Sequence, residues 1–399
     1  MDLRAKAERH NALLVRRLEE LAPDLMAETG IDCWVLMGRE YAEDPVLKTM
    51  LPSEWLSARR RTILVLTSTE RFAVSRYPIG KLFASAWDPE DEPNQWKRLA
   101  QILEELDPTC IGVGMSDIQA HADGLTATEH RAFIENLPHD LADRVVPAGL
   151  LGVRWLETRL AEERPTLVVA THTAHEILRL GLSAEAVTPG VTTTNDLVWW
   201  YRQMVADAGL ASWFHPSVTI QRQAGGDDST IIPGDLIHVD FGIVYESMCT
   251  DQQEHAYVLD SGEVEAPPGL RRGLEQANHA QDVLLEEFIV GRTGNEILGS
   301  ALAQCRAKGL EATIYTHSIG LHGHGAGMTI GLWDQQQGVP GAGDHPLHLN
   351  TAYSIELMTR SQVPEWGGTA VSFMLEQDAW FDGQSCVWLD GRQTELWLI

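Results

Sequence analysis

The segment GDLIHVDFGIVYESMCTDQQEHAYVLD, residues 234–260, constrains this chain more than any other. It reads as two apolar strands joined by a tight turn near Tyr245 to Ser247, and it carries Asp240 and Asp251 inside those strands. Aspartate is depleted in strands because its short side chain competes for backbone hydrogen bonds. Closed as a hairpin, the segment is expected to bring Asp240 and Asp251 opposite one another, at the roughly 4.5–5.5 Å Cβ spacing of cross-strand pairs. Taken singly, either acid reads as an edge or solvent-facing residue, so the weight of the reading falls on what accompanies them.

Two further acids lie on strand-like runs with apolar neighbours, Glu356 in TAYSIELM and Glu376 in AVSFMLEQDAWF. A buried carboxylate without a partner costs on the order of several kcal/mol or takes up a proton, so a strand interior accepts it only beside a donor or a cation. Histidine enters at YTHSIGLHGHGAGMTIGLWD, residues 315–334, where His317, His322 and His324 stand among glycines that let the backbone turn close to an ion. His322 and His324 share one side of an extended strand. A lone histidine is usually structural and a lone strand Glu usually faces solvent; a His-Gly-His-Gly run between two pairs of strand acids points instead to a common site. Four carboxylates and an imidazole do not suit a structural zinc site, which prefers Cys and His. They suit two divalent ions about 3.5–4 Å apart, an arrangement that activates a nucleophile and polarises a carbonyl. The chain has no Gly-x-Ser-x-Gly elbow, no His-Glu-x-x-His and no cysteine with a catalytic signature.

With 399 residues, two domains are expected. Residues 1–155 alternate helices with short apolar strands: an amphipathic helix from Arg4 to about Thr29, ending before Gly30, then CWVLMG, TILVLTS, FAVSRY and CIGVGM. This predicts an α/β domain, and the absence of a Gly-x-Gly-x-x-Gly or phosphate loop makes it a scaffold. The charged stretch RWLETRLAEERP, residues 154–165, reads as a linker or an exposed helix. Residues 160–399 predict an α+β domain. Its helices fall near 166–181, from about Asn195, near 268–289 and at 294–308, the last opened by the capping-box pair Thr293 and Glu296, while strands dominate from Val218 onward.

A formal charge of −27 disfavours nucleic acid and anionic lipid as partners. Five scattered cysteines without a Cys-x-x-Cys pair suit a reducing compartment, and the mixed charges of the N-terminal stretch fit neither a signal peptide nor a membrane span. A cytoplasmic location is the expectation.

The acids and histidine, in the order HVDFG (Asp240), CTDQ (Asp251), GHGAG (His324), SIEL (Glu356) and MLEQD (Glu376), resemble the ligand set of the pita-bread metallopeptidases. That family comprises Xaa-Pro aminopeptidases, prolidases and methionine aminopeptidases, and the likeness is to its bacterial Xaa-Pro dipeptidase branch. It covers residues 160 to 399 well and residues 1 to 155 in general layout. The resemblance implies a C-terminal pita-bread catalytic domain behind an α/β N-terminal domain and a homodimeric enzyme. It implies two divalent ions per subunit, with Mn²⁺ first and Co²⁺ or Zn²⁺ also accommodated. It implies hydrolysis of the Xaa-Pro bond in dipeptides or short peptides, with Asp240, Asp251, His324, Glu356 and Glu376 as metal ligands. Glu356 would also carry the proton, and His317 and His322 would hydrogen-bond the tetrahedral intermediate. An alternative alignment of Tyr315-Thr316-His317 moves the histidine ligand to His322. The chain departs from the family's pattern in lacking a histidine in QRQAGGDDSTIIPGD, in having Arg360 and Met374 where Tyr and Arg are usual, and in Trp333-Asp334 where His-Glu is usual. Arg360, four residues after Glu356, is a candidate clamp for a substrate carboxylate or else a surface charge. An Xaa-Pro aminopeptidase of longer peptides, or a binding module on the same fold, are the rival readings.

Overall fold

The computed structural model describes residues 2–226 and 228–399, and divides into two compact units, 1–156 and 157–399. Met1 and Asp227 lie outside the described residues.

In the first unit, helix Leu3–Arg16 continues through a π-type turn, Arg17–Leu21, into Ala22–Thr29. Pro23 lacks the N–H that an α-helical turn needs and its ring crowds the preceding carbonyls, which places the wider turn just before it. Gly30 ends the helix in the left-handed conformation, φ 69°. Six strands follow: β1 Cys33–Arg39, β2 Arg61–Leu66, β3 Arg71–Val74, β4 Ala84–Ser85, β5 Ile111–Val113 and β6 Val145–Pro147. Their order is β4-β3-β2-β1-β5-β6, with β1 antiparallel to β2 and parallel to β5. Val35, Ile63, Val65 and Val113 of the sheet pack with Leu99, Leu103 and Phe133 in one buried core.

The stretch at 154–165 contains the boundary between the two units, but it is not an exposed helix. Helix Gly149–Glu157 runs into it, and Arg154, Trp155, Glu157 and Arg159 are all buried. Its charges are accepted inside because they are paired: Arg154 with Glu28 at 2.9 Å in the first unit, Arg159 with Glu163 at 3.2 Å in the second.

The second unit is α+β. Its strands are β7 Ser217–Gln221, β8 Leu236–Phe241, β9 Val244–Tyr245, β10 Met248–Cys249, β11 Gln252–Tyr257, β12 Glu311–Ile314, β13 Thr316–Ser318 and β14 Thr329–Ile330. They continue as β15 Thr351–Ser354, β16 Leu357–Val363, β17 Thr369–Leu375, β18 Asp378–Phe381, β19 Cys386–Trp388 and β20 Trp397–Leu398. They build three sheets ordered β20-β11-β8-β7, β12-β16-β17 and β14-β13-β15-β18-β19, plus the β9–β10 ribbon. Helices Arg164–Gly181 and Thr194–Asp207 share a core with β8 and β11 through Leu178, Tyr201, Val239 and Phe241. Helices Pro268–Leu285 and Gly294–Ala307 cover the other half through Leu284, Leu298, Ile314 and Leu357. The Thr293–Glu296 capping box is formed, each side chain holding the other's backbone N–H.

Candidate metal centre

The candidate residues gather where strands are interrupted. Glu356 occupies the break between β15 and β16, Glu376 the break between β17 and β18, and Asp251 the residue before β11. A backbone bridge between Gln253 and Glu376, with N–H···O distances of 3.0 and 3.3 Å, ties β11 to the break that holds Glu376. Asp240 is the penultimate residue of β8.

Asp240 pairs with Gln253, not with Asp251. The β9–β10 turn is centred on Glu246 and Ser247, both left-handed with φ 48° and 66°, as a two-residue hairpin loop requires. That turn sets the register, so Asp251 lies two residues before Asp240's partner. Side chains two apart share a face, and Asp251 therefore meets Asp240 diagonally. The acids still converge: Asp240, Asp251 and Glu376 each offer an oxygen within 4.8 Å of the others.

His317 of β13 points into the same space. Its Nε2 lies 3.3 Å from Glu376, 3.7 Å from Asp251 and 3.9 Å from Glu356. His324 is exposed; it joins a donor group with Asp251 and His317, and its ring centroid is 4.8 Å from that of His317. His322 is half-buried and belongs to none of the potential donor groups among the described residues. Arg360 lies on the half-open face of β16, four residues after Glu356, but its side chain is 54 % exposed and approaches Glu311 at 3.7 Å.

Burial and crowding dominate the electrostatics. Asp240 is pushed up to about 8, first by burial and then by Glu376, with His317 opposing. Burial and neighbouring carboxylates likewise raise Asp251 and Glu356 well above the usual range. Burial works against charge on His317, yet the adjacent Glu376 and Asp240 raise it overall. Two buried atoms of these residues, Asp251 Oδ1 and His317 Nε2, have no hydrogen-bond partner among the described residues. Acceptors and a ring nitrogen left unpaired at the centre of a carboxylate cluster fit divalent cations, which supply the missing partners and offset the repulsion.

Sequence reasoning missed three residues here. Gln253 places its amide Nε2 on Glu356 Oε1 at 2.5 Å and on Glu376 Oε2 at 2.7 Å. His238, two residues before Asp240 on the same strand face, lies 2.9 Å through Nε2 from Gln253 Oε1; burial holds its pKa down near 4, so it serves as a neutral ring. Tyr315, with its N–H on the Glu356 carbonyl at 3.2 Å, keeps its proton, because burial and the charges of Glu356, Glu376 and Asp240 raise its pKa. The available signal was the period of two from Asp240 to His238; Gln253 and Tyr315 required the register.

Residues 169–376, more than half of the chain, match metallopeptidase family M24. The chain belongs to this family. M24 metallopeptidases bind divalent metals, and the clusters described above could hold them. The M24 chain shares its fold with X-Pro aminopeptidase from Thermotoga maritima MSB8, at TM-score 0.67 and 15% identity over 94% of this chain and 100% of the other. It also shares it with an Xaa-Pro dipeptidase from Bacillus anthracis, at TM-score 0.62 and 17% identity over 98% and 100% of the two chains. A prolidase from Pyrococcus furiosus aligns at TM-score 0.60 and 15% identity over 93% and 99%. No curated protein sequence matches the chain. The M24 fold is the pita-bread arrangement, so the expected architecture of the second unit holds.

Proposed function

We propose that this M24 metallopeptidase hydrolyses the Xaa-Pro bond, with dipeptides as its main substrates. The observation that carries the peptidase reading is the convergence of Asp240, Asp251, Glu356, Glu376 and His317, with Asp251 Oδ1 and His317 Nε2 buried and without a hydrogen-bond partner among the described residues. Preference for dipeptides is supported by the likeness to the prolidase branch and by neighbours described as Xaa-Pro dipeptidase and prolidase.

In this reading Asp240, Asp251, His324, Glu356 and Glu376 hold two divalent ions, Mn²⁺ by resemblance. The bound ions supply Lewis acidity toward the scissile carbonyl and lower the pKa of the attacking water. Glu356 takes the proton from that water and returns it to the proline nitrogen as it leaves. His317 and His322 donate to the developing oxyanion, and the Tyr315 hydroxyl keeps its proton under the charges of Glu356, Glu376 and Asp240.

Purified, chelator-treated protein assayed with and without Mn²⁺ on Ala-Pro, Leu-Pro and a longer Xaa-Pro peptide tests the proposal. Mn²⁺-dependent cleavage of the dipeptides is expected. Faster turnover of the longer peptide supports the aminopeptidase alternative, in keeping with the neighbour described as an X-Pro aminopeptidase. Metal binding without cleavage of any of the three leaves the binding-module reading.

A further inference from the structure

Glu157, His345 and His348 form a second group of metal-donor side chains, all within the unit 157–399 and sharing no residue with the carboxylate cluster. One donor atom from each lies within 4.8 Å of the other two. The Glu157 side chain is 0 % exposed, and both of its oxygens face one ring nitrogen, His345 Nε2, at 2.9 and 3.1 Å. The His345 and His348 rings stand 5.3 Å apart.

The backbone that carries the two histidines is held firmly. His345 O accepts from Gly294 N at 3.4 Å, Leu347 N donates to Arg292 O at 2.8 Å, and His348 O accepts from Thr351 Oγ1 at 2.8 Å.

We propose that Glu157, His345 and His348 bind a transition-metal ion of the zinc type. One carboxylate and two imidazoles, with the remaining position open to water, is a donor set suited to Zn²⁺. Metal–ligand bonds of about 2.0–2.2 Å in tetrahedral geometry set neighbouring donors roughly 3.3 Å apart. The His345–Glu157 spacing of 2.9–3.1 Å is close to that value, and His348 offers a nitrogen within 4.8 Å of both. The carboxylate-rich centre, by contrast, suits harder ions such as Mn²⁺.

Its position is fixed by what Glu157 borders. A Cβ on Gly327 would lie 2.6 Å from Glu157 Oε2 and 2.5 Å from Ser318 Oγ, so Glu157 and Ser318 both border that glycine. Ser318 faces the side of β13 opposite to His317. An ion on Glu157 therefore sits behind the strand that presents His317, at the end of the glycine-rich loop that carries His322 and His324.

The full chain, stripped of metal and dialysed against Zn²⁺, is compared with His348→Ala by counting bound zinc and by following melting temperature as zinc is added. The variant is expected to retain one ion fewer, or to bind that ion at least tenfold more weakly, and to lose the matching rise in melting temperature. Equal zinc content and equal affinity overturn the proposal. Should His348→Ala not fold, crystals of the unaltered chain grown with Zn²⁺ decide it by anomalous diffraction at the zinc edge. A peak between Glu157 and His345 is expected, and peaks confined to the carboxylate cluster overturn it. Neither readout uses peptidase activity, so this site can fail while the peptidase reading stands, and the reverse.

Discussion

Gln253 and Glu376 are bound to each other twice, once through their backbones at 3.0 and 3.3 Å and once through an amide-to-carboxylate hydrogen bond of 2.7 Å. The same amide reaches Glu356, and its oxygen faces His238 Nε2. Gln253 thus positions two of the candidate ligands through an uncharged side chain. A buried hydrogen-bonding group left without its partner costs about 1–3 kcal/mol. Gln253→Ala is expected to destabilise the metal-free protein by at least about 2 kcal/mol in urea denaturation at neutral pH. Unchanged stability would remove Gln253 from this role.

Metal binding is expected to release protons. Asp240, pushed up to about 8, carries a proton near neutral pH in the metal-free chain and must lose it to serve as a ligand, and the upward shifts of Asp251 and Glu356 act in the same direction. Affinity for Mn²⁺ should therefore rise with pH up to about 8 and level off above it. The sign for stability follows. A carboxylate whose folded pKa exceeds its unfolded value of about 3.9 favours folding at low pH, and that contribution is lost as pH rises through the folded pKa. The metal-free protein should lose this contribution between about pH 4 and 8, so the stability gap to the Mn²⁺-loaded protein widens over the same range. Calorimetric titration in buffers of different ionisation enthalpy counts the protons. Zero proton release at pH 7 would contradict the arrangement.

Local chemistry was legible in the sequence and register was not. The box at Thr293 and Glu296 and the left-handed stop at Gly30 depend on a few adjacent residues, and both form. The pairing of Asp240 with Gln253 depends on a turn at Glu246 and Ser247, which lacks the Asn-Gly or Asp-Gly signature that would have located it. His238 and Gln253 went unnoticed for the same reason: an uncharged polar residue in a strand gains meaning only once its partner across the sheet is known. The burial of residues 154–159 was equally hidden, because Arg154 is matched by Glu28, far away in sequence.

Arg360 should not prove to be the clamp for a substrate carboxylate. At about 3.3 Å per residue its Cα stands roughly 13 Å along the strand from that of Glu356. Its guanidinium is exposed and near Glu311. Arg360→Ala is expected to leave the Michaelis constant for Ala-Pro within about twofold of the wild type, since a screened surface charge contributes little. A rise of tenfold or more, with kcat retained, would restore the clamp.

The three histidines leave different traces when removed. His324 joins Asp251 in a donor group at the open edge of the site, whereas His322 enters no such group among the described residues. His317 is the most central, with Nε2 3.3–3.9 Å from three candidate ligands and no hydrogen-bond partner. That position suits a donor aimed at the oxyanion, and it would also suit a ligand. Removing a ligand lowers bound metal together with turnover, whereas removing an oxyanion donor cuts kcat by roughly 10²–10³ and leaves the metal in place. His324→Ala is expected to lose an ion, and His317→Ala and His322→Ala to keep both while losing turnover. Metal analysis of the three purified variants decides the roles. If His317→Ala loses an ion while His324→Ala keeps both, the central histidine is the ligand and His324 belongs to the substrate side.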